Sequence, residues 1–486
     1  MAKQYRMLIG GEWFDGDNGS YDIVNPATEQ VVGQAPEGST QQALAAARAA
    51  QEAFPKWWRT PVEERARLLA AVTEKLRAKM DDLIPLIISE CGATALVGSR
   101  MQVPVAIERF ERYAKAATKD LNIPLSPSQI GTTPLAAGGL IGAIVNRQPV
   151  GVVACISPYN FPLTNIAGKI APALAVGCTV VIKPAPQDPL AVFELVEIMH
   201  EVGFPPGVVN IVSGSSPDTA VALTTTPDVD MVSFTGSTGV GEKIFEAGGK
   251  TMKRLLLELG GKGAGLVLDD ADLDKAVSAI SSVWSFHSGQ ICTAPTRAIV
   301  HKSRYDELVS KLGMVAPNLK VGDPTSMETL VGPVISAAQK GRIESYIQSG
   351  SDEGGTIVVD GRNPAGLDTG FYVGPTLIAD CRQGMKAVQE EIFGPVVVVV
   401  PFEDDDEGIA ISNSTDFGLY DYVFSQNIDR AYRTAKQLRS GNVGINTAQR
   451  NHDTPFGGFK MSGVGRDGGD FGLLAYTEMQ TIVWPG

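Results

Sequence analysis

Cysteine and histidine are scarce in this chain. Its 486 residues include five cysteines and four histidines. Five thiols are too few and too odd in number for a disulfide framework, so they are expected to be free, in a reducing compartment. His200, His287, His301 and His452 show no metal-ligand spacing, and no metal is expected. Cys-x-x-Cys, G-x-S-x-G and zincin patterns are missing as well. No segment reaches the ~20 apolar residues of a membrane span. The nearest, IAGKIAPALAVGCTVVI, is broken by Lys169, Pro172 and two glycines. The opening MAKQYRMLIGGEWFDG lacks the ~7–15-residue apolar core of a signal peptide, which leads to an expected cytoplasmic location. Basic charge is short too: 41 Lys and Arg stand against 54 Asp and Glu, a net charge of −13. That balance disfavours nucleic acid or an anionic membrane as partner. A small anion held by backbone N–H groups is unaffected by it.

The rest is ordinary globular composition, with 44% hydrophobic and 20% charged residues. The length suggests roughly two to four domains. Helical periodicity marks 39–54, with a cap at Ser39 or Thr40, then 61–90 and 103–119. From 150 the pattern alternates. Short apolar strands at 150–156, 178–184, 207–214, 228–234 and 254–261 are separated by helices, as in a parallel sheet covered on both faces. Such sheets bind ligands past the carboxyl ends of their strands. A second alternation begins at GAGLVLDD (263–270) and continues through RAIVH, TIVVDG, PVVVVVPF, DYVFS and GNVGIN, which reads as a second α/β domain. The Gly-rich stretch 447–470 reads as loop and LLAYTEMQTIVW as a strand. A segment rich in Gly, Ser, Thr and Pro, 126–148, interrupts the first domain.

Chemistry-bearing residues fall after the strands. FTGSTGVG (234–241) follows a strand and opens a helix. Gly236, Gly239 and Gly241 there suit either a Gly-rich turn or backbone approach to a phosphate. GVGRDG (463–468) has the G-x-G-x-x-G spacing, but no strand leads into it, so it is not read as a dinucleotide fingerprint. Lys183 is either a solvated strand exit or a ribose or phosphate contact. Asn160, in SPYNFP, is either a turn former or an amide donor for an oxyanion. Glu258 ends an apolar strand, as half of a salt bridge or as a general base. Cys292, in FHSGQICTAPTR, has a polar, partly exposed context that suits a nucleophile. Cys155 and Cys178 lie in apolar strands and are read as core. Cys91 and Cys381 carry no assigned role. His287, five residues before Cys292, is read as structural.

Taken in order, SPYNFP, VIKP, FTGSTG, LELGGK, GQIC and EIFGPV resemble the aldehyde dehydrogenase superfamily. The resemblance runs from NPATEQVV (25–32) to PFGGFKMSGVGRDGG (455–469). It implies an α/β fold with two Rossmann-type open-sheet domains and a small β oligomerisation arm. The cofactor domain would be 1–124 and 148–260, the catalytic domain 261–460, and the arm 125–147 with 473–486. The arm in turn implies a homodimer or homotetramer. By the same resemblance Cys292 is the nucleophile that forms a thiohemiacetal and then a thioester. Asn160 and the Cys292 N–H hold the oxyanion, and Glu258 activates the hydrolytic water. Lys183, Glu391, Phe393, Ser157, Gly236, Ser237 and Gly241 are implied for the cofactor.

Two departures bear on specificity. Tyr159 stands where Trp is common. Pro186 stands where many members carry a Glu that disfavours a 2′-phosphate, so NAD+ is expected and NADP+ stays open. Phe161, Phe286, Ile291, Thr293 and Phe456 are expected to line the substrate pocket. This set holds no evident cation and suits a hydrophobic or aromatic aldehyde. One alternative is a CoA-acylating enzyme, though such members typically lack the glutamate of LELGGK. The other is a non-catalytic binding protein on the same scaffold.

Overall fold

The computed structural model describes residues 3–485. Residues 1, 2 and 486, at the ends of the expected cofactor unit and arm, lie outside that span. Two sheets organise the chain. The first has six strands in the spatial order Gly463–Val464, Arg254–Glu258, Met231–Thr235, Val152–Ile156, Thr179–Lys183, Val209–Ile211. Pairing is parallel except at Gly463–Val464, which runs antiparallel to Leu257 and Glu258. Every residue of Val152–Ile156 and Thr179–Lys183 is buried, as expected of apolar strands covered on both faces. Strand order reverses between Val152–Ile156 and Met231–Thr235. At such a switch point a crevice opens past the carboxyl ends. The loops beginning at Ser157 and Gly236 border it.

The second sheet has seven strands: Thr356–Val359, Thr376–Ala379, Val396–Phe402, Arg297–His301, Ala264–Val267, Tyr420–Phe424 and Asn442–Ile445. Only the Thr356–Val359 edge is antiparallel. Val396 to Val400 form a wholly buried run at its centre. Burying each valine contributes about 1.5–3 kcal/mol, so a charge at Val398 would be severely disruptive. The four-residue strand Thr376–Ala379 has no sequence signal beyond a short apolar run.

Three further strands form a separate antiparallel sheet, with Thr477–Pro485 and Ile123–Ile130 on either side of Gly139–Pro149. All of Ile123–Ile130 is exposed.

Several sequence expectations need correction. The N-terminal region is not only helical. Two hairpins, Met7–Ile9 with Glu12–Phe14 and Ser20–Val24 with Val31–Pro36, precede the helices. Gly10 and Gly11 have positive φ, as a tight hairpin turn requires. Residues 61–90 form two helices, Val62–Ala78 and Met80–Cys91, that meet at Lys79. Asp81 and Asp82 favour the new helix N-terminus there. LLAYTEMQTIVW is not one strand. The helix Gly469–Ala475 ends just before the strand Thr477–Pro485 begins. GVGRDG is preceded by a helical turn, not a strand, and its own first two residues, Gly463–Val464, pair as an edge strand with Leu257 and Glu258.

Candidate active site

Cys292 lies between the helix Leu273–Ser285 and the strand Arg297–His301 of the second sheet. It is the partly open cysteine, and the other four are buried. The approach to it is tightly wound. His287, Ser288 and Gly289 all have left-handed φ (51°, 53° and 71°), a strained geometry that surrounding contacts must hold. His287 is outside the preceding helix and buried, and burial brings its pKa down to about 4. It therefore stays neutral at ordinary pH, and its low basicity makes it a poor proton acceptor for the Cys292 thiol.

Two close approaches bring the motifs together. A Cβ on Gly261 would stand 2.1 Å from the Cys292 carbonyl oxygen, and one on Gly289 would stand 2.1 Å from the Gly394 oxygen. Glycine is thus required where LELGGK meets Cys292 and where GQIC meets EIFGPV. Gly261 N–H also donates to Glu391 Oε1 at 2.9 Å. From the first sheet, Asn160 Nδ2 donates to the Gln290 carbonyl at 2.8 Å, and Asn160 Oδ1 accepts from Phe161 N–H at 3.1 Å. The wholly buried Gln102 donates to the Asn160 carbonyl. The turn-former and oxyanion readings of Asn160 are thus compatible, since its side chain is locked beside the loop that carries Cys292.

Glu258 is buried, and neither carboxylate oxygen has a hydrogen-bond partner among the described residues. The salt-bridge reading fails. Burial raises its pKa well above the ordinary carboxylate value. The negative charge of Asp467 adds to this, while Lys169, Arg466 and Arg450 oppose it. The Cys292 thiol is pushed up to about 12, first by burial and then by the charges of Glu391 and Glu258, with Arg450 pulling it down. The Cys292 thiol is therefore protonated in the resting site at neutral pH, and the Glu258 carboxylate is a stronger base than an ordinary one.

The residues implied for a cofactor flank the same crevice. Lys183 is buried, so it is not a solvated strand exit. Its Nζ reaches only the Gly214 carbonyl at 3.4 Å, and burial lowers its pKa to about 8. Ser157 is buried with an unpartnered Oγ. Ser237 is exposed and opens the helix Thr238–Gly249 without capping it by its own side chain. Gly236 N–H donates to the Glu258 carbonyl at 3.1 Å, which ties the turn to the next strand. A Cβ on Gly241 would stand 2.5 Å from Leu259 Cδ2, so this glycine lets the helix pack closely on the end of the neighbouring strand. Phe393, at φ 59°, meets Tyr159 edge-on at 5.9 Å.

Phe161 packs against Phe286 at 5.8 Å between centroids. Ile291 and Phe456 pack on one cluster of the second unit, and the Thr293 carbonyl accepts from the Tyr422 hydroxyl at 2.8 Å. The wall is not free of cations, contrary to expectation. Arg450 stacks over the Phe456 ring at 3.9 Å. An arginine six residues before Phe456 was the available signal, but sequence distance alone does not aim a side chain.

Comparison with known proteins agrees with these motifs. Residues 13–482 match the aldehyde dehydrogenase family. A 3-succinoylsemialdehyde-pyridine dehydrogenase from a Pseudomonas species is 37% identical over 485 residues, 99% of each chain. A putative aldehyde dehydrogenase of Staphylococcus saprophyticus is 36% identical, covering 99% of this chain and 98% of that one. The crystal structure of betaine aldehyde dehydrogenase from Staphylococcus aureus in complex with NAD+ superposes with a TM-score of 0.94 at 35% identity, over 99% of this chain and 94% of that one. On sequence, fold and the assembly of these motifs around Cys292, the chain belongs to the aldehyde dehydrogenase family.

Proposed function

We propose that this protein oxidises a hydrophobic or aromatic aldehyde to its carboxylic acid with NAD+, in the balance aldehyde + NAD+ + water → acid + NADH + H+. One observation carries the reading: an unpartnered, buried Glu258 carboxyl shares a crevice with the partly open thiol of Cys292. An orphaned carboxyl at a raised pKa is poised to take a proton.

In this reading Glu258 takes the thiol proton and Cys292 Sγ bonds to the aldehyde carbon. The oxyanion accepts from Asn160 Nδ2 and the Cys292 N–H. Bound NAD+ supplies the hydride acceptor that turns the Cys292 thiohemiacetal into a thioester. Glu258 then removes a proton from water as it attacks the acyl carbon, and Cys292 leaves as thiolate. The NAD+-bound S. aureus neighbour supports the choice of cofactor. Lys183, the Ser157 hydroxyl and the helix opening at Ser237 have unspent donors that fit a dinucleotide, and Glu391 and Phe393 border it. Pro186 presents no charge against a 2′-phosphate, so NADP+ remains a second acceptor to assay.

The layout we infer is a cofactor domain (1–124 and 148–260), a catalytic domain (261–460) and an arm (125–147 and 473–486). The arm displays Leu125, Leu140, Met479, Val483 and Trp484 to solvent. An exposed apolar sheet with open edges favours a second copy as its cover, hence a homodimer or homotetramer. Five free thiols fit a reducing compartment such as the cytoplasm, and among the described residues no helix is long and apolar enough to cross a membrane.

The test is product analysis over an aldehyde panel with each nucleotide. NADH and free acid in equal amounts without CoA are expected. Acyl-CoA as the product, with negligible acid when CoA is withheld, would overturn the hydrolytic reading.

A further inference from the structure

Asn160 is anchored at three atoms, and one anchor comes from a distorted turn. Its side chain is fixed at both ends, Nδ2 on the Gln290 carbonyl and Oδ1 on the Phe161 N–H. Its main-chain carbonyl accepts from Gln102 Nε2 at 3.1 Å. An amide nitrogen carries two hydrogens, so Nδ2 keeps one N–H beyond its bond to Gln290. That spare N–H can meet an oxyanion only while the residue is held in place, and the hold on its main chain is Gln102. The neutral ring of His287 also bonds to the Asn160 main chain.

Gln102 closes a five-residue π-helical turn, Gly98–Gln102, directly before the helix Val103–Ala116. Pro104, in the first turn of that helix, has no N–H to give the turn behind it, and its ring crowds the carbonyl four residues back. The preceding turn is widened, and Gln102 stands at φ −90°, ψ −82°. Single π turns of this kind concentrate at functional sites. The Met101 carbonyl accepts from the Thr164 hydroxyl at 2.7 Å, which ties the turn to the helix Pro162–Val176 just after Asn160. Gln102 is wholly buried, and its Oε1 has no partner among the described residues. Nε2 is the atom that faces Asn160, because a carbonyl can only accept. A buried amide with an orphaned acceptor destabilises a fold relative to an apolar side chain of similar size. Such a group persists where it serves something other than stability.

We propose that Gln102 is a positioning residue: through the Asn160 carbonyl it holds the Asn160 amide in line for the oxyanion formed at Cys292. The proposal rests on aldehyde oxidation at Cys292 with Asn160 as oxyanion donor. A misplacement of about 1 Å can slow a reaction by ~10²-fold, so the contact from the π turn contributes to rate more than to stability.

The experiment follows benzaldehyde oxidation with NAD+ in the wild type, Gln102→Met, Gln102→Glu, Asn160→Ala and the double variant Gln102→Met/Asn160→Ala. In Gln102→Met, kcat/KM for benzaldehyde should fall by about tenfold or more. The KM for NAD+ should stay within about twofold and the melting temperature within about 3 °C of the wild type. In the double variant the loss should stay within about twofold of Asn160→Ala alone, since Gln102 then has no amide left to position. Gln102→Glu should recover most of the wild-type rate at pH 6, where a buried carboxyl still holds the proton it donates to the Asn160 carbonyl. Wild-type activity in Gln102→Met, losses that multiply in the double variant, or no recovery in Gln102→Glu at pH 6 would overturn the proposal. Full activity in Asn160→Ala would instead remove the oxyanion reading, and this proposal with it. The two failures are therefore distinct.

Discussion

Asn160 donates its side-chain amide to the Gln290 carbonyl at 2.8 Å. This bond joins the loop after the central strand of the first sheet to the loop that carries Cys292 in the second. The proposed nucleophile and the proposed oxyanion donor thus come from different units, and this contact ties them together. In Asn160→Ala, kcat should fall by about 10²–10³-fold, while the KM for NAD+ stays within about twofold. Steady-state kinetics checks this.

Glu258 should set the pH profile. Its pKa is raised chiefly by burial, so the base form grows as pH rises through that value and kcat rises with it. In Glu258→Gln the rising limb should vanish and turnover should drop by about 10²–10⁴-fold.

The same group destabilises the fold. A carboxyl whose folded pKa lies above its unfolded value binds more protons when folded. Stability is then lost as pH rises from about 4.3 through the raised pKa. Glu258→Gln should be more stable than the wild type at pH 8, on the order of 1–3 kcal/mol, and nearly equal to it near pH 4. Thermal melts at the two pH values measure the difference.

Lys183 loses its charge as pH rises through about 8. If it contacts the cofactor, Lys183→Gln should raise the KM for NAD+ by roughly tenfold and remove any upturn of wild-type KM above pH 8. Titration of KM against pH in both proteins decides.

Much of this architecture was legible in the sequence because buried parallel strands are apolar throughout. VVACI, TVVIK and VVVVVPF could be placed within a residue or two. The hairpins at Met7–Phe14 and Ser20–Pro36 were not seen, since strands of three to six residues are too short to carry clear periodicity. The chemistry-bearing residues were legible through motif order. Their mutual geometry was not: nothing in LELGGK shows that Gly261 touches the Cys292 carbonyl, and nothing in FTGSTGVG shows that Gly241 packs on Leu259.

The most direct measurement of the central claim is intact and peptide mass spectrometry of Glu258→Gln after mixing with aldehyde and NAD+. With water activation removed, the peptide containing Cys292 should carry the mass of the acyl group and lose it slowly, with one NADH released per acylated chain. An acyl group on Cys91, Cys155, Cys178 or Cys381, or NADH release with no adduct on Cys292, would contradict the account.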